Sequence, residues 1–202
     1  MKEKETGWLV DTDPGCGCGC GPDRLQTSPE NVQGTRAGRN ILDVELLAID
    51  LETCERCVPT GEQLRTAVRL LRPVAEALGV ELMYRETVVR TPEEAQARAL
   101  LSSPTIRVNG RDIAQDIRES ECASCGDLTE KNAIIECRDW HYRGEVYPSV
   151  PLPLLIEAIM EAMLKIDDLP FFTSGPLEEL PENLKRYFDN RKQVKNMPSC
   201  CC

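Results

Sequence analysis

The sequence predicts an α/β fold, a mixed sheet flanked by helices, with a cysteine-rich insertion and flexible cysteine-bearing termini. Three observations predict it. Short apolar runs alternate with stretches of helical periodicity between residues 44 and 164, turn residues mark the junctions, and the eleven cysteines of this 202-residue chain fall into four separate groups. The expected boundaries are an arm over 1–42, a domain over 43–165 with an insertion at 120–142, and a polar tail over 166–202.

Val44 to Leu51 is apolar at nearly every position, as a strand buried on both faces requires. Thr60 with Gln63 forms a candidate capping box, and Leu64, Val68, Leu71, Ala75 and Leu78 recur at spacings of three or four, so a helix with one buried face follows. Pro73 is expected to kink it and Gly79 to stop it. Val80 to Val89 alternates as a second strand. Thr91 caps the next helix with Pro92 at its first position, and Thr105 to Val108 is a third strand closed by the hairpin signal Asn109-Gly110. Leu152 to Leu164 has helical spacing and closes the domain. Beyond Ile166 the chain is polar and rich in proline, with a short helix expected near Leu184–Arg191.

Lys and Arg number 24 against 34 Asp and Glu, a net charge of −10, which disfavours nucleic acid and anionic membrane as partners. The charged start Met1-Lys2-Glu3-Lys4-Glu5 leads into no apolar segment of a secretory signal, and no apolar run reaches the ~18 residues of a membrane span. A cytoplasmic protein is expected. In a reducing compartment, cysteines serve metal binding or redox chemistry more often than structural bridges.

Cys54-Glu55-Arg56-Cys57 sits where the first strand hands over to the first helix. A thiolate there attacks a disulfide or other electrophilic sulfur and its neighbour resolves the intermediate; the alternatives are a metal site shared with other cysteines, or coincidence. With the helix starting at Thr60, Cys57 would lie outside it and Arg56 would be left to lower the Cys54 pKa.

A strand delivering Cys-x-x-Cys to a helix, followed much later by Ser103-Pro104-Thr105 at the opening of another strand, resembles the thioredoxin superfamily. The resemblance implies a thioredoxin-like fold, Cys54 and Cys57 as a catalytic thiol pair, and a cis Pro104 whose loop lies against them. Glu55-Arg56 departs from the small pair that thioredoxins carry between their cysteines. The run from Thr53 through Asn109-Gly110 to Ser120-Glu121-Cys122-Ala123-Ser124-Cys125-Gly126 and Cys137-Arg138 is similar to an uncharacterised thioredoxin-like family of bacteria and archaea, over roughly residues 44–165.

Within the insertion, Cys122, Cys125, Cys137 and His141, the sole histidine, have the donor types and spacing of a tetrahedral zinc site. His141 could equally belong to an ordinary aromatic-rich turn, and the three cysteines could instead relay electrons to Cys54 and Cys57. In the arm, Cys16, Cys18 and Cys20 alternate with glycine, and Cys200, Cys201 and Cys202 end the chain. Such clusters suit soft metal or metalloid ions. The expected function is therefore thiol-disulfide oxidoreduction linked to soft-metal or metalloid handling. A non-catalytic metal-sequestering protein on the same scaffold is the alternative. The expected partners are thiol- or disulfide-bearing proteins or small molecules and soft ions, with zinc or another soft metal as cofactor and no organic one.

Overall fold

The computed structural model describes residues 40–114, 116–130 and 133–191. The cysteine clusters expected to bind ions at 16–20 and 200–202 lie outside them.

The first sheet has the order β2-β1-β3-β4, built from β1 (Asn40–Ala48), β2 (Val80–Val88), β3 (Thr105–Val108) and β4 (Arg111–Asp112). β1 runs parallel to β2, with Val44 opposite Tyr84, and antiparallel to β3, with Val44 opposite Val108. Central placement explains why β1 reads as one apolar run: every residue from Leu42 to Ile49 is buried. Its two acids, Asp43 and Glu45, survive burial because Arg85 on β2 reaches both carboxylates and Arg98 reaches Glu45. Burial still pushes the Asp43 carboxyl up, against the opposing pull of Arg85. The hairpin from β3 to β4 turns through Asn109 and Gly110, whose φ values of 47° and 77° suit the Asn-Gly signal.

On one face of this sheet, Leu42, Val44 and Leu46 join Leu64, Ala67, Val68 and Leu71 of α1 (Cys57–Ala77). Leu155, Ile159 and Met163 complete that core from the helix over Leu152–Leu164. α1 continues through Pro73 to Ala77. The opposite face carries α2 (Pro92–Ala97), capped by the Thr91 hydroxyl, which accepts from Glu94 N–H at 3.2 Å.

The insertion is a small sheet of its own. β5 (Arg118–Glu121), β6 (Glu136–Tyr142) and β7 (Glu145–Tyr147) form it in that order, with the short helix α3 (Ala123–Asp127) between β5 and β6. The helix over Leu152–Leu164 is thus α4, and its bounds match the expected ones.

Residues 166–191 do not behave as a polar tail. Phe172 N–H donates to Asn109 O at 2.9 Å and Leu177 N–H to Gln96 O at 3.0 Å, so the segment crosses the hairpin and α2. It leads into α5 (Glu182–Asn190), which buries Leu184 and Tyr187 in the same apolar cluster as the cysteines. α5 answers the short helix expected near Leu184–Arg191, and its spaced apolar residues secure the segment. Among the described residues no helix is long and apolar enough to cross a membrane.

Candidate metal centre

Asp50 organises the loop that presents the first two cysteines. Its Oδ1 accepts from the N–H groups of Glu52 (3.1 Å), Thr53 (2.7 Å) and Cys54 (2.7 Å) and from the Thr53 hydroxyl (3.2 Å). An Asx-type turn of this kind fixes the chain ahead of the helix. α1 then begins at Cys57, not at Thr60, with Arg56 as its cap residue. The Thr60 hydroxyl is spent elsewhere, accepting from Val150 N–H at 3.3 Å. Cys57 therefore occupies the first helical position, where backbone N–H groups lack intrahelical partners, and its own N–H donates to Cys54 Sγ at 3.3 Å.

Arg56 was expected to act on Cys54 and instead fastens the insertion. Its guanidinium donates to the carbonyls of Cys137 (3.1 Å), Arg138 (3.3 Å) and Glu121 (2.7 Å), to Ser120 Oγ (2.7 Å) and to Asp139 Oδ1 (2.6 Å). Glu55 N–H adds a bond to Ser124 Oγ at 3.0 Å. The two charged residues between the cysteines are thus joints between the main domain and β5, α3 and β6.

These joints bring separate cysteine groups together. Cys125 Sγ lies 3.3 Å from Cys54 Sγ and 3.3 Å from Cys137 Sγ, and Cys122 Sγ lies 3.9 Å from Cys54 Sγ. The sulfurs of Cys54, Cys122 and Cys125 all lie within 4.8 Å of one another. Local structure accounts for the place of each insertion thiol. Cys122 caps α3 and its N–H donates to Ile135 O at 2.8 Å, Cys125 follows within one turn, and Cys137 pairs with Ser120 across the β5–β6 ladder. Gly126 lets residue 133 pass close by, since a Cβ there would come within 2.9 Å of Ala133 O. A zinc ion holding sulfurs at ~2.3 Å spaces them at roughly 3.8 Å, close to the separations among Cys54, Cys122 and Cys125.

All five of these thiols are buried, every one but Cys122 completely. Hydrogen bonding from Cys122, and then from Cys125, Cys137 and Cys57, holds the Cys54 thiol well below its ordinary pKa. Cys57 is raised in turn, first by its bond to Cys54 and then by burial. Cys122 falls to about 6, chiefly through Cys125 and Cys137, while Cys125 and Cys137 are pushed up, each chiefly through Cys122.

His141 is not part of this group. It lies on β6 four residues past Cys137, about 13 Å along an extended strand, and its side chain is exposed. The thiol that joins Cys122 and Cys125 is Cys54, from the other end of the domain, while Cys137 reaches the group through Cys125. Spacing within one segment could not show this, and the surplus of cysteines was the only available signal. Pro104 follows a cis peptide bond from Ser103, and Ser103 Oγ lies 3.5 Å from Cys57 Sγ while accepting from Ile49 N–H at 3.1 Å.

A family described as Domain of unknown function (DUF2703) matches residues 42–159. The chain belongs to that family. The DUF2703 region contains all five clustered cysteines and ends before α5. An uncharacterised protein of Archaeoglobus fulgidus is 36% identical over 86 residues, 40% of this chain and 61% of that protein, so the chain spans about three fifths of that relative's length. No solved structure matches the chain.

Proposed function

We propose that this DUF2703 protein binds a soft metal or metalloid ion through Cys54, Cys122, Cys125 and Cys137, on a thioredoxin-like scaffold. One observation carries the reading: Cys54 meets Cys122 and Cys125, more than sixty residues away in sequence, at 3.9 and 3.3 Å in a buried space, with Cys137 3.3 Å from Cys125. Thiolate donors select Zn²⁺, Cu(I) and heavier thiophilic ions over hard cations. Burial excludes water and competing ligands, and an ion there ties the insertion to the domain. The scaffold reading is supported by the strand order β2-β1-β3-β4, by cysteines at the junction of β1 and α1, and by Ser103-Pro104 beside Cys57.

A second reading, thiol-disulfide exchange by Cys54 and Cys57, is favoured by the Cys57 N–H aimed at Cys54 Sγ at the start of a 21-residue helix. The cytoplasm is the compartment in which either chemistry would find reduced thiols.

Metal analysis of protein purified without air tests the first reading. With all six terminal cysteines replaced by Ser, one zinc per chain is expected, and Cys125→Ser should abolish it. Protein free of metal after zinc loading, yet active in reducing a protein disulfide, would favour the second reading.

A further inference from the structure

Five thiols share one buried space, whereas a tetrahedral ion takes four, and Cys57 is the one left over. It is held against Cys54 by the backbone between them. The first turn of α1 sets the Cys57 N–H 3.3 Å from Cys54 Sγ, and the Cys54 carbonyl accepts from Val58 N–H at 3.0 Å, which folds residues 54–57 into one tight turn. The remaining polar neighbour of the buried Cys57 Sγ is the Ser103 hydroxyl at 3.5 Å, a weak partner. Glu52, Thr53 and Glu55 on either side of Cys54 are exposed, so a small oxidant need only cross the loop itself.

Resting on the metal reading above, we infer that Cys57 is a redox trigger for the centre: a hydroperoxide joins Cys54 to Cys57 as a disulfide, and the ion, left with three thiolates, is released. The step balances. The Cys54 thiolate attacks one peroxide oxygen, the O–O bond breaks, and hydroxide leaves as Cys54 becomes a sulfenic acid. The Cys57 sulfur then attacks Cys54 Sγ and displaces a second hydroxide, which takes the Cys57 proton and departs as water. Two thiol sulfurs lose two electrons and the peroxide gains them. Cys122, Cys125 and Cys137 stay reduced, so a thiol reductant that cleaves the disulfide restores all four donors.

The test uses full-length protein with the six terminal cysteines replaced by Ser, loaded with one zinc, exposed to hydrogen peroxide and followed with a chromogenic zinc chelator. The parent should release its zinc as a disulfide appears between Cys54 and Cys57 in a non-reducing peptide digest. Cys57→Ser should load the same amount of zinc but release it at least about tenfold more slowly, because the thiols left beside Cys54 are held by the ion and the free resolving thiol is gone. Equal release rates, or a parent disulfide at Cys122–Cys125 or Cys54–Cys125, would overturn the trigger and leave the metal reading standing. A parent that takes up no zinc would overturn both.

Discussion

Arg56 ties the first cysteine pair to the insertion through a single guanidinium. It is nearly buried, its charge is met by Asp139, and its remaining hydrogens satisfy three carbonyls and a hydroxyl of the insertion. Arg56→Ala leaves those acceptors and the Asp139 carboxylate without their donor, so a loss of about 3–5 kcal/mol is expected in urea denaturation. Arg56→Lys should recover only part of it, because an ammonium cannot span the same fork. Glu119 yields a pH prediction. It accepts from Ser102 and Asn183, and burial raises its pKa. A raised carboxyl pKa means that the folded state holds the proton more tightly than the unfolded state does. The contribution is fully present below the ordinary carboxyl value of 4.5 and is lost as pH rises through the folded-state pKa. Glu119→Gln should therefore stabilise the protein at neutral pH and lose that advantage in acid, as denaturation at several pH values will show. None of this was legible in the sequence, where Glu55-Arg56 reads as a charged pair beside a thiol and not as a clamp.

At the level of elements, legibility followed locality. The bounds of α4 and the Asn109-Gly110 turn were readable because their causes, helical spacing and positive φ, lie within a few residues. The start of α1 was not, because Asp50 acts from seven residues upstream and Thr60 is drawn to Val150. The zinc expectation for His141 failed for a related reason: β6 is a strand, and four residues of strand carry a side chain too far from Cys137. Two predictions belong here. Stripping zinc-loaded protein with a chelator should raise hydrogen exchange in β5, α3 and β6 while β1, β2 and β3 stay protected, because a bound ion would tighten the insertion beyond what the Arg56 and Glu55 bonds already hold. Gly110→Ala should cost more than Gly144→Ala. Both glycines have positive φ, but only at Gly110 would a Cβ meet another backbone atom, Phe172 O at 1.8 Å. Thermal melts of the two variants give the comparison, with more than ~1 kcal/mol expected at Gly110.

Across the whole molecule, the last described helix closes what the insertion begins. Glu130 N–H donates to Asn190 O at 2.7 Å and Arg186 to Ile134 O at 3.1 Å, so α5 holds the insertion from outside while Leu180, Leu184 and Tyr187 cover the thiols. Leu184→Ala should destabilise by about 2–4 kcal/mol and speed the reaction of metal-free protein with an aromatic disulfide reagent. The most direct test of the four-thiolate centre is X-ray absorption at the zinc edge of the full-length protein with its six terminal cysteines replaced by Ser. The expected spectrum has four sulfurs at ~2.3 Å and no nitrogen, is unchanged by His141→Ala, and loses one sulfur or the metal itself in Cys54→Ser. A first shell of three sulfurs and one nitrogen that vanishes with His141→Ala and ignores Cys54→Ser would contradict it.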